Sequence, residues 1–285
     1  MLLTYKRLKV FFAIAIAVYI VMIISVLSDN FIFTFQYITN EAYRDSLINS
    51  YNGSLDFFIK SISETEWTFD YSIVFGTFLF QFLIPFIGAF TAIDFLKRHK
   101  TVNMFIYNRK GIYKPILWKE AIITSLIYSM AFLISFMIFW LSCILLIGSN
   151  FDEGITRPLF ADWFGESFYS DHVYTYTFIE GFIKFFYMPF VYNIFGIGLS
   201  LLGEKNSKYY TAGPLLYYFG LTVVGSTAIS LNLEIGYYLN PTVLMSLGDF
   251  YTINSFLILL INSLPLILGL IFIWRETRYG DFEIS

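Results

Sequence analysis

The chain has 285 residues, of which 57% are hydrophobic and 14% are charged, and its formal net charge is −3. A soluble domain of this length needs about a quarter charged residues to keep its surface hydrated, so the composition excludes an ordinary soluble protein. The single cysteine, Cys143, excludes a disulfide framework and a cysteine-based metal site. The two histidines, His99 and His172, are far apart without metal-ligand spacing, and we expect no metal site.

Apolar runs along the chain predict membrane-spanning helices. A helix needs about 20 mostly apolar residues to cross the hydrocarbon of a bilayer. Because a backbone in lipid must satisfy its own hydrogen bonds, each such run predicts a helix. The sequence therefore predicts an all-α polytopic membrane helix bundle that forms a single transmembrane domain over residues 1–285. Its six predicted spans are residues 10–27, 71–93, 121–148, 182–202, 213–233 and 251–274.

The charges of the connecting segments predict the orientation of the bundle. Fourteen of the 18 basic residues lie in four segments, namely 1–9, 94–120, 203–212 and the tail after residue 274. The other three segments hold three basic residues and 15 of the 21 acidic ones: 28–70, 149–181 and 234–250. With six spans these two sets fall on opposite sides of the membrane. The excess of Lys and Arg on one side places both termini in the cytoplasm.

Two of the predicted outer segments are rich in aromatic residues. In the first, residues 42–62 are compatible with an interfacial helix. The second, 149–181, is acidic and includes Trp163, Phe164, Phe168, Tyr169, Tyr174 and Tyr176. One interpretation is a vestibule or lid over a substrate path, and the other is an aromatic belt on the outer headgroups. The sequence leaves both open.

Ionisable residues inside the spans are scarce. Such residues are the usual mark of ion or proton pathways in membrane proteins, and only Lys184 lies within a predicted span. Glu180 precedes it by four residues, which predicts an ion pair with the amine reaching out to the interface. Catalytic and nucleotide-binding motifs are absent, so we expect neither an enzyme nor a cofactor. Interhelical hydrogen bonds are the expected role of the polar residues Gln81, Asn193, Asn254 and Asn262.

The connection between the second and third spans, residues 94–120, is the most distinctive predicted cytoplasmic segment. Val102, Phe105 and Ile106 recur at helical spacing among basic residues, and Gly111 interrupts the pattern. This pattern predicts a short basic amphipathic helix. Periodicity alone supports two interpretations equally. The segment either contacts a partner protein, or it is a loop whose apolar stripe lies on the lipid headgroups.

The topology and this segment together resemble the permease subunit of ABC type-2 transporters. In that family an acidic residue after the second span is followed by a Thr that opens a short coupling helix and by basic residues leading into the third span. Asp94, Thr101, Lys114 and Lys119 match these positions in type and spacing. A larger outer segment after the first span, a basic tail and an Asn-Pro pair before the sixth span are also similar.

Two positions depart from the pattern of the family. Lys100 stands where a small residue usually precedes the Thr, and residues 109–111 (Arg-Lys-Gly) replace a turn that usually contains Pro. The resemblance is therefore carried mainly by topology.

The resemblance implies a membrane subunit that forms a homodimer or heterodimer and pairs with a separate cytoplasmic ABC ATPase. The complex would export a peptide, lipid or drug-like substrate across a bacterial plasma membrane. Membrane lipid would be its other partner, and no nucleic acid is expected to bind. ATP hydrolysis would occur in the partner, so this chain would not itself be an enzyme. The resemblance implies five residues of the ATPase-coupling contact: Asp94, Arg98, Thr101, Met104 and Phe105.

An alternative from another class is a polytopic membrane protein that works without an ATPase, in an immunity, binding or regulatory role. Such a protein has no reason to keep a Thr-opened cytoplasmic helix, which is the feature that separates the two hypotheses. The transported substrate is not readable from the sequence.

Overall fold

The computed structural model describes residues 5–50, 69–99, 113–147, 160–202, 210–245 and 254–279, and the regular structure in these residues is entirely helical. The first half comprises α1 Tyr5–Thr39, α2 Glu41–Ser50, α3 Phe69–Phe78, α4 Phe80–His99 and α5 Tyr113–Ile147. After it come α6 Ala161–Phe164, α7 Glu166–Asp171, α8 Val173–Phe182, a π-helical turn Ile183–Tyr187 and α9 Met188–Leu201. The last helices are α10 Gly213–Ser230, α11 Ile235–Leu239, α12 Pro241–Met245, α13 Ser255–Asn262 and α14 Leu264–Tyr279.

Among the described residues, four helical runs are long and apolar enough to cross a membrane: Leu8–Val26, Pro115–Ile147, Val173–Leu201 and Ser255–Arg278. A fifth is obtained if α3 and α4 count as one span. Together Ser72–Phe78 and Phe82–Lys97 are long and apolar enough, but they are bent by 44° relative to each other. The prediction of an all-helical fold is confirmed for the described residues, and so is the presence of several helices long and apolar enough to cross a membrane. The predicted count of six is not confirmed by the described helices.

Two of the predicted spans differ from the helices in the structure. The predicted fifth span corresponds to α10, whose Tyr, Gly, Ser and Thr residues lower its hydropathy. The chain then turns at Asn232, which has a left-handed φ of 57°, and α11 folds back onto α10. The fourth span begins at Val173 and not at Phe182, because α8 continues through the π-helical turn into α9.

The outward faces of the long helices carry large apolar side chains. On α1 they recur every fourth residue, with Phe12, Ile16, Ile20 and Ile24 each about half exposed. At the end of α5, Leu146 is 83% exposed. In water, an apolar surface of this size would drive association. Hydrocarbon is the solvent that fits it.

The centre of the bundle is α9, which packs against α4, α5, α10 and α14. Residues 191–198 of α9 are buried without exception. A Cβ atom on Gly196 would lie 2.3 Å from the backbone oxygen of Gly88 in α4, and one on Gly198 would lie 2.5 Å from that of Gly269 in α14. The backbones of α4, α9 and α14 are therefore in direct contact, which is the packing that small residues permit between membrane helices.

Candidate functional site

The bundle has two ends, and we call inner the end at which residues 100–112 connect α4 to α5. At this end the carboxylate of Asp94 accepts a hydrogen bond of 2.9 Å from the hydroxyl of Tyr128 in α5. The backbone of Arg98 lies in the last turn of α4. The other three predicted coupling residues lie outside the described residues: Thr101, Met104 and Phe105. The coupling contact itself stays a prediction.

A small apolar cluster joins the inner ends of four helices. We call it the inner cluster, and it consists of Phe95, Leu117, Ala121, Ile194, Ile197 and Ile273. These residues come from α4, α5, α9 and α14, and each is buried. The two helix ends that flank residues 100–112 are thus packed directly onto the central helix. Hydrophobic periodicity within one helix could not reveal this cluster, because it depends on which faces of four helices meet.

A polar network lies deeper in the same interface, centred on the fully buried Asn193 of α9. The Thr91 hydroxyl of α4 donates to its Oδ1 at 2.9 Å. Its Nδ2 donates to the Ser129 hydroxyl at 3.2 Å and to the Ser125 backbone oxygen at 3.4 Å, both in α5. The predicted interhelical role of Asn193 is therefore confirmed, and the network links three of the four helices that the inner cluster joins, namely α4, α5 and α9.

The other predicted polar residues have different outcomes. Asn262 of α13 donates to the backbone oxygen of Tyr238 in α11 at 3.3 Å, which is an interhelical bond as predicted. Asn254 instead caps the N-terminus of α13, where its Oδ1 accepts from the Leu257 backbone N–H at 2.9 Å. That is a local bond, so the interhelical prediction for Asn254 is wrong. The side chain of Gln81 lies outside the described part of the structure.

A buried ion pair occupies the junction between α8 and the π-helical turn. The Lys184 amine donates to Glu180 Oε1, and both side chains are buried. The predicted pairing four residues apart is confirmed. The predicted reach of the amine to the interface is wrong, because Lys184 is 0% exposed. The span starts at Val173, about three turns or roughly 16 Å before Lys184. Its charge is therefore compensated inside the bundle.

Aromatic rings surround the π-helical turn. Phe185 stacks on Phe136 of α5 and meets the edge of Phe80 of α4, both with ring centroids 4.6 Å apart. Gly181 leaves the space that the Phe136 ring fills, since a Cβ there would lie 2.0 Å from the ring. Lys184 and Phe185, adjacent in sequence, are both fully buried in this turn. A single π-turn inside an α-helix is frequent at functional sites.

The buried pair of Glu180 and Lys184 is the candidate functional feature at the centre of the bundle. An ion pair inside an apolar bundle carries no net charge, so neither partner remains as an uncompensated buried charge. Ionisable residues at membrane depth are rare and are functional candidates by default. The spacing of Glu180 and Lys184 in the sequence predicted that they pair. Their burial could not be predicted, because it depends on where the helix begins.

In the part of the chain that the structure describes, no three His, Cys, Asp or Glu side chains converge on a potential metal site. Comparison with protein-family models, with curated proteins and with solved structures found no match to this chain. The function is therefore argued from the chain's own residues.

Proposed function

We propose that this chain is the membrane-spanning permease subunit of an ATP-driven ABC exporter and that a separate cytoplasmic ATPase docks on residues 94–120. The permease would act as a homodimer or heterodimer in a bacterial plasma membrane. Its cargo would be a peptide, a lipid or a drug-like molecule. The inner cluster is the observation that supports this proposal most directly, because it connects the docking segment to the central helix.

The coupling is mechanical. Closure of the ATPase on ATP displaces the docking segment and with it the inner ends of α4 and α5. The inner cluster and the bond between Asp94 and Tyr128 join these ends to each other and to α9. A packed interface of this kind moves as a rigid body and does not deform continuously, so the displacement reaches α9.

Six membrane crossings with both termini in the cytoplasm fit this function. They require α3 and α4 to act as one bent span and α10 to act as a short one. The 18 residues of α10 extend about 27 Å at 1.5 Å per residue, close to the roughly 30 Å of hydrocarbon in a bilayer. The charge bias between the two sets of connecting segments supports the orientation.

Co-purification from the native cell in mild detergent tests the proposal. The wild-type chain should retain an ABC ATPase in stoichiometric amount. Met104→Asp combined with Phe105→Asp should abolish this association, because it places a carboxylate at each of two apolar residues that are predicted to contact the ATPase. The matched control, Asn103→Asp with Asn108→Asp, adds the same charge to the same segment and spares the Met and Phe, so it should retain the ATPase.

Each outcome separates the hypotheses. If the ATPase still binds the Met104 and Phe105 variant, the docking assignment is wrong. If the folded, monodisperse wild-type chain retains no ATPase at all, the alternative of an ATPase-independent immunity, binding or regulatory protein takes its place.

A further inference from the structure

Residues 160–172, which contain α6 and α7, form a small structure that we call the outer cap. Asp162 attaches it to the first turn of α13, where its carboxylate accepts from the Ser255 backbone N–H at 3.0 Å and from the Ser255 hydroxyl at 2.5 Å. The Phe160 backbone N–H donates to the Tyr176 hydroxyl of α8 at 2.8 Å. The cap is thus bonded to the outer ends of two helical runs that are long enough to span a membrane, Val173–Leu201 and Ser255–Arg278.

The outer cap turns two large aromatic residues outward. Trp163 and Phe164 are 45% and 38% exposed, whereas Phe160 and Tyr169 in the same cap are buried. Gly165 follows with a left-handed φ of 86°, a conformation that favours glycine, and the chain changes direction there between α6 and α7. The exposed pair therefore lies next to a sharp turn in a cap whose other side is fixed to the bundle.

The residue before the exposed pair is bonded to the first turn of α13, a helix that also carries exposed apolar side chains. Trp163 follows Asp162, whose carboxylate is bonded to Ser255, and Ser255 is followed directly by Phe256, which is 63% exposed. One turn further, Leu260 of α13 is 48% exposed. Trp163 is thus next in sequence to a residue bonded to the first turn of α13, the helix that carries these exposed apolar side chains.

The charge of the outer cap indicates which class of lipid headgroup it can contact. Residues 160–172 contain the acids Asp162, Glu166 and Asp171 and no Lys or Arg. Attraction to anionic lipid requires basic side chains, so electrostatics cannot hold this cap on a membrane. A Trp ring instead combines a large apolar face with one N–H donor, and it is favoured in the neutral headgroup and glycerol region of a bilayer.

We propose that Trp163 and Phe164 anchor the outer cap in the headgroup region of the outer leaflet, where they contact zwitterionic phospholipid. The cap is then a fixed membrane anchor and not a lid that opens over a substrate path. Its bonds to α8 and α13 hold it at the depth where the pair meets the interface. This inference requires a membrane-spanning bundle but no ATPase, so it stands or fails separately from the proposed function.

Fluorescence quenching in vesicles tests the proposal. The full-length chain and its Trp163→Phe variant are reconstituted in phosphatidylcholine that carries bromine at a shallow or a deep position of the acyl chain. The difference between the two emission spectra isolates Trp163. We expect shallow bromine to quench this component more strongly than deep bromine, and the ratio to be unchanged when a third of the lipid is anionic. The variant keeps an aromatic ring at an exposed position, so it should fold as the wild type does.

Four results would overturn the proposal. Stronger quenching by deep bromine would place the side chain in hydrocarbon, and quenching by aqueous acrylamide alone would place it in water. A component that neither reagent quenches would show that protein covers it, for instance a second copy of the chain. A marked dependence on anionic lipid would refute the zwitterionic assignment.

Discussion

Removal of the Glu180 carboxylate should destabilise the bundle strongly. Glu180→Gln is nearly isosteric, but it removes the buried carboxylate that pairs with the Lys184 ammonium, which is 0% exposed. Breaking a buried ion pair in this way costs about 3–5 kcal/mol. At about 1.4 kcal/mol per factor of ten, this lowers the folded-to-unfolded ratio roughly a hundredfold to several thousandfold. Glu180→Gln combined with Lys184→Met removes both charges and keeps the volume, so it should recover most of the loss.

The chain contains its own reporter for this experiment. Cys143 is its single cysteine and is buried, so a thiol-reactive fluorophore labels the purified protein only as it unfolds on heating. Glu180→Gln should lower the unfolding midpoint clearly. The control Glu234→Gln makes the same chemical change at an exposed position and should stay within about 0.5 kcal/mol of the wild type. A midpoint of Glu180→Gln equal to that of the control would refute the argument, as would a double variant no more stable than the single one.

Three further predictions concern the helix contacts. Gly196→Ala should lower the unfolding midpoint, since its Cβ would lie 2.3 Å from a backbone oxygen of α4, whereas Gly220→Ala, with nothing within 4 Å, should be neutral or slightly stabilising. Asn193→Leu should cost about 1–3 kcal/mol in the same assay, because its partners in α4 and α5 stay buried and lose the hydrogen bonds that they make to Asn193. Asp94→Ala and Tyr128→Phe should be non-additive in a double-mutant cycle, because either change removes the one hydrogen bond between them.

These three predictions have distinct refutations. Equal midpoints for the two glycine variants would mean that α4 and α9 are further apart than described. A neutral Asn193→Leu would show that the network adds no stability. Strict additivity at Asp94 and Tyr128 would mean that the two side chains do not interact.

Much of the helical content could be predicted from the sequence, because a run of about 20 apolar residues is a local property that lipid converts into helix. The runs that became α1, α5 and α14 are examples. The angle between α3 and α4 and the start of the fourth span at Val173 could not be predicted. They depend on how neighbouring helices pack, which no single apolar run encodes.

The candidate site also has features that the sequence predicted and features that only the tertiary structure decided. The spacing of Glu180 and Lys184 was sufficient to predict their pairing, since residues four apart share one face of a helix. Their burial was decided by tertiary structure, because it follows from the position of the π-helical turn among the rings of α4 and α5. The inner cluster is the clearest case: Phe95, Ile194 and Ile273 are distant in sequence, and only the packing of α4, α9 and α14 brings them into contact. Sequence alone thus determined which segments are helical and apolar, and tertiary packing decided which of their faces meet.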